Sequence, residues 1–152
     1  MALRTIIQIG DPVLRKKCFE VTDFGEKTLT LLGDMKETLA KSGGVGLAAP
    51  QVGVLRRIFI VDYEGDFYEC INPVITSKKG KCDDMEGCLS VKGQYGIVER
   101  PKKITIKYQD RFAKEHTKIF EGYIARIFCH ENDHLDGILY VDIAKTVENE
   151  RN

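Results

Sequence analysis

The sequence predicts an α+β fold in which mixed, mostly antiparallel β-sheets pack around one central helix, with a pair of helices at the N-terminal end. Three observations lead to this fold class. Helical patterns lie near both ends of the chain, strand patterns follow one another between them, and 152 residues make one average domain. We therefore predict a single domain over residues 1–145, followed by a frayed tail over residues 146–152.

The N-terminal helices are predicted from a cap signal and from helical spacing. Asp11 followed by Pro12 indicates an N-cap and a first helical position, so a short helix should continue to about Lys16. Residues 26–42 place apolar side chains at helical spacing with charges between them, and two glycines end the pattern. The apolar positions expected in the core are Leu29, Leu32, Met35 and Leu39.

Strands are predicted next, because β-branched and aromatic residues are enriched and partly alternate with polar ones. They cover residues 56–63, 67–75, 102–110 and 115–121, with a turn at 110–114. The last predicted helix runs from about residue 122 to residue 135, and Gly137 is a suitable stop signal after it.

Composition and charge exclude several classes of function. Lys plus Arg and Asp plus Glu both number 23, so we expect no specific binding to nucleic acid. No stretch approaches the roughly 20 apolar residues that span a bilayer, and no signal or transit peptide is evident. These features indicate a bacterial-type cytoplasmic protein without a membrane partner. Five cysteines lacking a CxxC pair favour reduced thiols over a disulfide framework.

The segment CHENDHLDG, residues 129–137, contains the His-Glu-x-x-His spacing of a helical metal site. At about 100° per residue, His130 and His134 lie about 40° apart on the helical wheel, with Glu131 beside them. This is the arrangement of two metal ligands and a general base. The alternative is that the two histidines have this spacing by coincidence. Tyr123 shares the imidazole face and should line any pocket that opens there.

A catalytic metal usually has three protein ligands, and no suitable third ligand follows the helix. His116 is the only other histidine and lies upstream, so a thiolate is the strongest remaining candidate. Cys129 projects about 100° away from His130 on the wheel, which leaves four cysteines. The segment EGCLS, residues 86–90, favours Cys88, because glycine permits close backbone approach and polar residues lie on both sides.

A second glycine-rich segment, GVGLAAPQ at residues 44–51, is apolar and ends in an amide that can donate hydrogen bonds. It lacks the Lys-Ser/Thr ending and the strand-to-helix context of a phosphate loop. Without a functional role, this segment would simply be a loop that packs closely.

Taken together and in this order, GVGLAAPQ, EGCLS and HENDH resemble the three marker segments of the peptide deformylase family. The resemblance extends to GDPVLR near the N-terminus, INP at residues 71–73 and HLDG at the second histidine, so it covers most of the chain. It implies a metal-dependent hydrolase that removes the N-formyl group from the initiator methionine of nascent polypeptides and releases formate. An N-formylmethionyl peptide is the implied substrate, and a ribosome near its exit tunnel is an implied partner.

The resemblance also implies roles for particular residues. Glu131 would act as acid and base, while the Gln51 side chain and the Leu89 backbone N–H would stabilise an oxyanion. The implied metal ligands are Cys88, His130 and His134, and the implied substrate-binding residues are Val45, Gly46, Gly87 and Tyr95, beside Tyr123 from the wheel. Fe(II) is the favoured ion, with Zn(II), Ni(II) and Co(II) as alternatives, because thiolate and imidazole suit several of these metals.

Three departures from the family pattern concern the surroundings of the site. Cys129 stands where Gln is common, Lys92 where many members have Pro, and Tyr95 where some have Arg. Two other functions remain as alternatives. One is an HExxH endopeptidase, against which stands the absence of a downstream third ligand, and the other is a structural metal domain, which would have no need of Glu131.

Overall fold

The computed structural model describes residues 2–150 and has the predicted α+β architecture. Short 3₁₀ helices lie at Pro12–Arg15, Ala49–Val52 and Tyr140–Asp142, and the α-helices are α1 (Glu26–Ser42) and α2 (Tyr123–His134). The strands are β1 (Gly46–Ala48), β2 (Ile58–Tyr63), β3 (Asp66–Lys79), β4 (Cys82–Cys88), β5 (Val91–Arg100), β6 (Lys103–Gln109), β7 (Glu115–Glu121) and β8 (Thr146–Asn149). Within residues 2–150, no helix combines the length and the apolar character needed to cross a membrane.

The strands form two sheets on either side of α2. The larger sheet has the order β1-β2-β3-β6-β7, and the smaller one has the order β4-β5-β8. Every strand pairing in the described part of the chain is antiparallel, and a parallel contact occurs only as an isolated bridge between Phe19 and Arg56. The predicted α+β class is confirmed, with sheets more uniformly antiparallel than expected.

The central helix α2 packs one face against the larger sheet. Phe128 is fully buried, stacks on Phe120 of β7 at 4.2 Å between ring centroids, and meets Phe59 of β2 edge-on at 5.6 Å. Tyr68 of β3 completes this aromatic group with an edge contact to Phe128 at 5.4 Å. The contacts fix the rotation of α2, so its opposite face is directed toward the smaller sheet.

Helix α1 covers a second part of the core and has the predicted bounds. It ends at Ser42 because Gly43 adopts a left-handed conformation, with φ of 74°, that glycine tolerates well. Leu32, Met35 and Leu39 are buried as predicted, but Leu29 is 39% exposed and Leu31 is buried instead. The physical reason is that Leu29 lies about 60° beyond Leu32 on the wheel, at the margin of the apolar stripe.

The other predicted elements differ from the structure mainly at their ends. Asp11 accepts a hydrogen bond from the Val13 N–H at 3.0 Å, but the turn that follows is a 3₁₀ helix. The strand predicted at 67–75 continues to Lys79, and the strand predicted at 115–121 has the predicted bounds. Four strands were not predicted: β1, β4, β5 and β8.

The prediction of a frayed tail is wrong for Thr146–Asn149. These residues form β8, which pairs with Gln94–Ile97 of β5 although Val147 is its only apolar residue. Gly96 allows this pairing, because a Cβ atom at that position would collide with the Thr146 carbonyl oxygen. Backbone hydrogen bonds therefore hold a segment that lacks the apolar pattern of a strand. The last predicted tail residues, 151 and 152, lie outside the described part of the chain.

Candidate active site

Cys88 is brought to α2 by the end of strand β4. The register with β5 shifts between Glu86 and Cys88, and Cys88 then pairs with Val91. Its Sγ lies 3.4 Å from His134 Nε2, and the ligand atoms of Cys88, His130 and His134 all lie within 4.8 Å of one another. Two ligands of one tetrahedral ion, at bond lengths of about 2.1 and 2.3 Å, are separated by about 3.6 Å. The three side chains therefore fit one divalent metal ion.

The two histidines lie one turn apart on α2, with ring centroids 5.1 Å apart. His130 is 8% exposed and His134 is 1% exposed, so both imidazoles are held away from bulk water. Cys129 lies on the other side of the helix, in the aromatic core, where burial raises the pKa of its thiol to about 11. Its neighbours make Cys129 a packing residue, as the wheel indicates.

Glu86 holds His130 in position from the smaller sheet. Glu86 Oε1 lies 2.8 Å from His130 Nδ1, which leaves His130 Nε2 free to face a metal. Arg100 donates two hydrogen bonds to the same carboxylate, at 2.9 and 3.0 Å, and Arg126 donates a third at 2.8 Å. Burial alone would raise the pKa of Glu86, but the hydrogen bonds from Arg100 and His130 outweigh it and lower this pKa to about 2. Glu86 is therefore a buried carboxylate paired with two guanidinium groups.

Glu131 lies beside the ligands and under strand β1. Its carboxylate is 4% exposed, and its Oε1 atom has no hydrogen-bond partner among residues 2–150. A Cβ atom at Gly46 would lie 2.5 Å from Glu131 Oε2, so only glycine permits this close approach. Burial raises the pKa of Glu131 to about 7, against a lowering effect of His130. Such a carboxyl group can both accept and donate a proton near neutral pH.

The Gln51 side chain is fixed next to the ligand sulfur. Its Oε1 accepts a hydrogen bond from the Ala48 N–H at 2.9 Å, and its Nε2 donates to Ser90 Oγ at 3.0 Å. The same Nε2 lies 3.6 Å from Cys88 Sγ. The orientation of the amide is therefore set by its partners, and an N–H group points toward the region of the ligands.

The N-terminal segment links the two parts of the chain that carry Gln51 and Leu89. The Ile7 N–H donates to the Gln51 carbonyl, and the Ile9 N–H donates to the Ser90 carbonyl, both at 2.8 Å. Between them, Gln8 Nε2 donates to the Leu89 carbonyl at 2.9 Å. This segment thus ties the 3₁₀ helix at residues 49–52 to the turn that follows Cys88.

A cleft of about 300 Å³ opens above these groups. Most residues predicted for the site line it, namely Val45, Gly46, Gln51, Gly87, Cys88, Leu89, Tyr123, His130 and Glu131. His134 lies beneath the cleft rather than in its wall, because it is almost fully buried. Tyr95 is not brought to the cleft, since it pairs with Glu148 of β8 in register, and the charge of that carboxylate raises the pKa of the Tyr95 hydroxyl.

Sequence reasoning missed the polar groups that support the site. A metal-bound histidine generally donates its other ring N–H to an oxygen acceptor, so a partner such as Glu86 was to be expected. Its position two residues before Cys88 was a usable signal. Arg100 and Arg126 gave no such signal, because their role depends on the packing of β5 against α2. Ser90 and Gln8 were missed for the same reason.

Comparison with known proteins adds independent information. The family model described as polypeptide deformylase matches residues 3–150. A peptide deformylase of Caldicellulosiruptor bescii is 50% identical over 142 residues, covering 93% of this chain and 86% of that protein. Peptide deformylase 1 of Clostridium acetobutylicum is 44% identical over the full length of both chains. The crystal structure of peptide deformylase from Thermotoga maritima superposes with a TM-score of 0.92 and 40% identity, covering 95% of this chain and 99% of that one.

The fold and the site define a class first. Cys88, His130 and His134 could hold a metal ion beside a carboxylate in an open cleft, which is the arrangement of a metal-dependent hydrolase. The family model and the relatives then identify the member of that class. The chain belongs to the polypeptide deformylase family. The resemblance inferred from the three sequence segments is thereby confirmed.

Proposed function

We propose that the residues around this cleft carry out the reaction of the polypeptide deformylase family, each in a defined role. The reaction is removal of the N-formyl group from nascent polypeptides by a metal-dependent hydrolase. One observation carries the assignment to this site: the Cys88 sulfur meets the paired imidazoles of α2 with Glu131 beside them in an open cleft. Membership of the family also decides against the HExxH endopeptidase and the structural metal domain.

Cys88, His130 and His134 are the proposed ligands of one divalent ion. The proposed ion is Fe(II), with Zn(II), Ni(II) or Co(II) able to occupy the same thiolate and imidazole donors. Such an ion, when bound, supplies Lewis acidity that lowers the pKa of a coordinated water to about 7. Glu86 keeps the His130 ring oriented for this role through its hydrogen bond to Nδ1.

Glu131 is the proposed general base and general acid. The unpartnered Oε1 atom is available to take a proton from water and to return it to the leaving amine of methionine. Burial under Gly46 excludes competing water from the carboxylate and supports a pKa near neutrality. A positioned group of this kind contributes about a hundred- to ten-thousand-fold in rate.

The Gln51 amide and the Leu89 backbone N–H are the proposed oxyanion donors. The Gln51 amide is already oriented by Ala48 and Ser90, so little reorganisation is needed when charge develops on the formyl oxygen. Leu89 follows the ligand Cys88 directly and lines the cleft, which supports its part in the same function.

The remaining cleft residues are proposed to bind the substrate. Backbone groups of Val45, Gly46 and Gly87 lie at the strand edges that border the cleft and can pair with an extended peptide. Tyr123 and Ile127 provide apolar surface for the methionine side chain. We do not include Tyr95, because it pairs with Glu148 of β8 and does not line the cleft. The catalytic unit we propose is a single domain that extends beyond residue 145 to include β8.

The proposed setting is the bacterial-type cytoplasm, close to the ribosomal exit tunnel. A formylated N-terminus occurs only on a newly made chain, so the substrate itself supports this location.

Formate release from a formyl-methionyl peptide by Fe(II)-loaded protein, purified without oxygen, tests the proposal. We expect chelation to stop release and added Fe(II) to restore it. Cys88→Ser should lose both metal and most activity, whereas Cys129→Ser, its matched control, should keep the metal. Elemental analysis of both variants checks this expectation. Equal metal loss in the two variants, or no formate from fully loaded protein, would overturn the assignment.

A further inference from the structure

A second groove, of about 520 Å³, adjoins the cleft on the side of Leu89. Cys88 and Leu89 line both cavities, so the groove begins at the proposed metal site. Its other walls come from the N-terminal segment, the last turns of α1 and the start of β5. The proposed function leaves this groove without a role.

The groove is positively charged. Arg4, Lys41 and Lys92 line it, and no carboxylate does. Arg4 is already paired with Asp34 at 2.9 Å, so its charge is largely neutralised. Lys41 and Lys92 are exposed, and among residues 2–150 neither takes part in an ion pair. Two cationic side chains are therefore available to a ligand that enters the groove.

A peptide bound in the cleft can continue into this groove. With the methionine side chain on Tyr123 and Ile127, as proposed above, Leu89 is where the peptide can pass from the cleft into the groove, because it lines both cavities. Each extended residue advances about 3.4 Å, so the second and third residues of the substrate lie within about 10 Å of the formyl group. Since the groove begins at Cys88 and Leu89, these substrate residues can enter the cavity that Lys41 and Lys92 line.

The opposite end of the cleft has a different character. A cavity that shares Tyr123 and Arg126 with the cleft is lined by two carboxylates, Asp84 and Glu121, as well as by Lys102. This mixture of charges offers no preference for one sign. Of the two cavities, only the groove beside Leu89 therefore has a lining that would favour ligands of one charge, namely negative ones.

We propose that this groove receives the substrate residues that follow formyl-methionine and favours acidic side chains at the second or third position, through Lys41 and Lys92. The inference rests on the proposed function, because it takes the cleft as the site of the formyl group. Exposed ion pairs of this kind change binding by about two- to five-fold for each lysine at low ionic strength. Neither lysine lines the cleft that holds the proposed catalytic groups, so the preference should appear in KM and leave kcat nearly equal between peptides.

The test compares formyl-Met-Ala-Glu with formyl-Met-Ala-Gln, using Fe(II)-loaded protein at low and at high ionic strength. We expect kcat/KM to favour the glutamate peptide several-fold at low salt and to become equal near 1 M salt, where the screening length is about 3 Å. The combined variant Lys41→Gln with Lys92→Gln should bring the ratio to about one at low salt. Lys114→Gln is the matched control, because Lys114 is exposed in the β6–β7 turn and lines neither cavity.

The product peptides Met-Ala-Glu and Met-Ala-Gln give a second measurement as competitive inhibitors, and their Ki values should differ by the same factor. Equal kcat/KM for the two formyl peptides at low salt would overturn this inference alone. An unchanged preference in the combined variant would do the same. Absence of formate from both peptides would instead overturn the proposed function and this inference with it.

Discussion

The two faces of α2 are stabilised by different kinds of interaction. Toward the larger sheet, Phe128 packs among aromatic rings that contact one another over wide areas without directional requirements. On the opposite face, His130 is held from the smaller sheet by one particular partner, Glu86, and Glu131 lies beside it, buried under Gly46. One helix thus separates a face that supplies stability from a face that supplies chemistry.

This difference implies that substitutions on the two faces should have separable effects. Changes to the aromatic face should lower the free energy of unfolding and leave the properties of the folded site intact. Changes to the polar face should alter turnover or metal affinity with smaller effects on folding. The following predictions test this separation, from the largest expected effect to the smallest.

Substitution of Glu131 by alanine should give the largest effect on function. Loss of a positioned proton-transfer group lowers kcat by about a hundred- to ten-thousand-fold. The ligands themselves remain, so elemental analysis should find the metal content of the wild type. The thermal midpoint should not fall, because a buried carboxyl group is replaced by a small apolar one. A turnover within a factor of about ten of wild type, below the expected loss, would remove Glu131 from the mechanism.

Substitution of Phe128 by alanine should give the largest effect on stability. Truncation of a fully buried phenylalanine costs about 3–5 kcal/mol of unfolding free energy, through lost burial and a residual cavity. Denaturant titration measures this loss. At temperatures where the variant is still folded, metal content and kcat should stay close to those of the wild type. Loss of metal from the folded variant would break the separation between the two faces.

Substitution of Glu86 by glutamine tests the partner of His130 from the smaller sheet. Loss of such a partner lowers metal affinity by about 10- to 100-fold. Asp133→Asn is the matched control, because Asp133 binds Arg100 at 2.6 Å without contacting His130. Competition with a chelator, carried out on folded protein, gives the affinity of each variant. Equal weakening in both variants would show that the charge of the cluster, rather than the hydrogen bond to His130, sets the affinity.

The same division explains what could be predicted from sequence. Helix α1 follows from periodic apolar residues, and both helices were predicted with nearly correct bounds. The two histidines and Glu131 of the HExxH segment are close together in the sequence. They could therefore also be placed on one helix before the structure was known. Cys88 could be named only with the help of three segments considered together.

The smaller sheet could not be predicted, and the reason is physical. β4 and β5 contain several glycines and charged residues, and the four residues of β8 include a single apolar one, Val147, so none has the alternating pattern of a strand. Their pairing is decided by long-range contacts, such as the close approach of β8 at Gly96. Glu86 and Arg100 lie on these same strands. The groups that hold His130 in position therefore could not be predicted from the sequence either.

Substitution of Gln8 by alanine should give the smallest effect. It tests whether the N-terminal segment helps to position the turn after Cys88. Gln8→Ala removes the hydrogen bond to the Leu89 carbonyl, a loss worth about 0.5–1.5 kcal/mol. The N-terminal segment keeps its backbone bonds to Gln51 and Ser90, so the fold should persist while the turn after Cys88 becomes less well fixed. Since the Leu89 N–H is a proposed oxyanion donor, we expect kcat to fall a few-fold with KM unchanged. Gln94→Ala is the matched control, because Gln94 donates an exposed hydrogen bond to the Asn149 side chain of the neighbouring strand β8. A fall in thermal midpoint with unchanged kcat would instead show that Gln8 only anchors the N-terminal segment. The residues that support the proposed site would then include Ser90 but not Gln8.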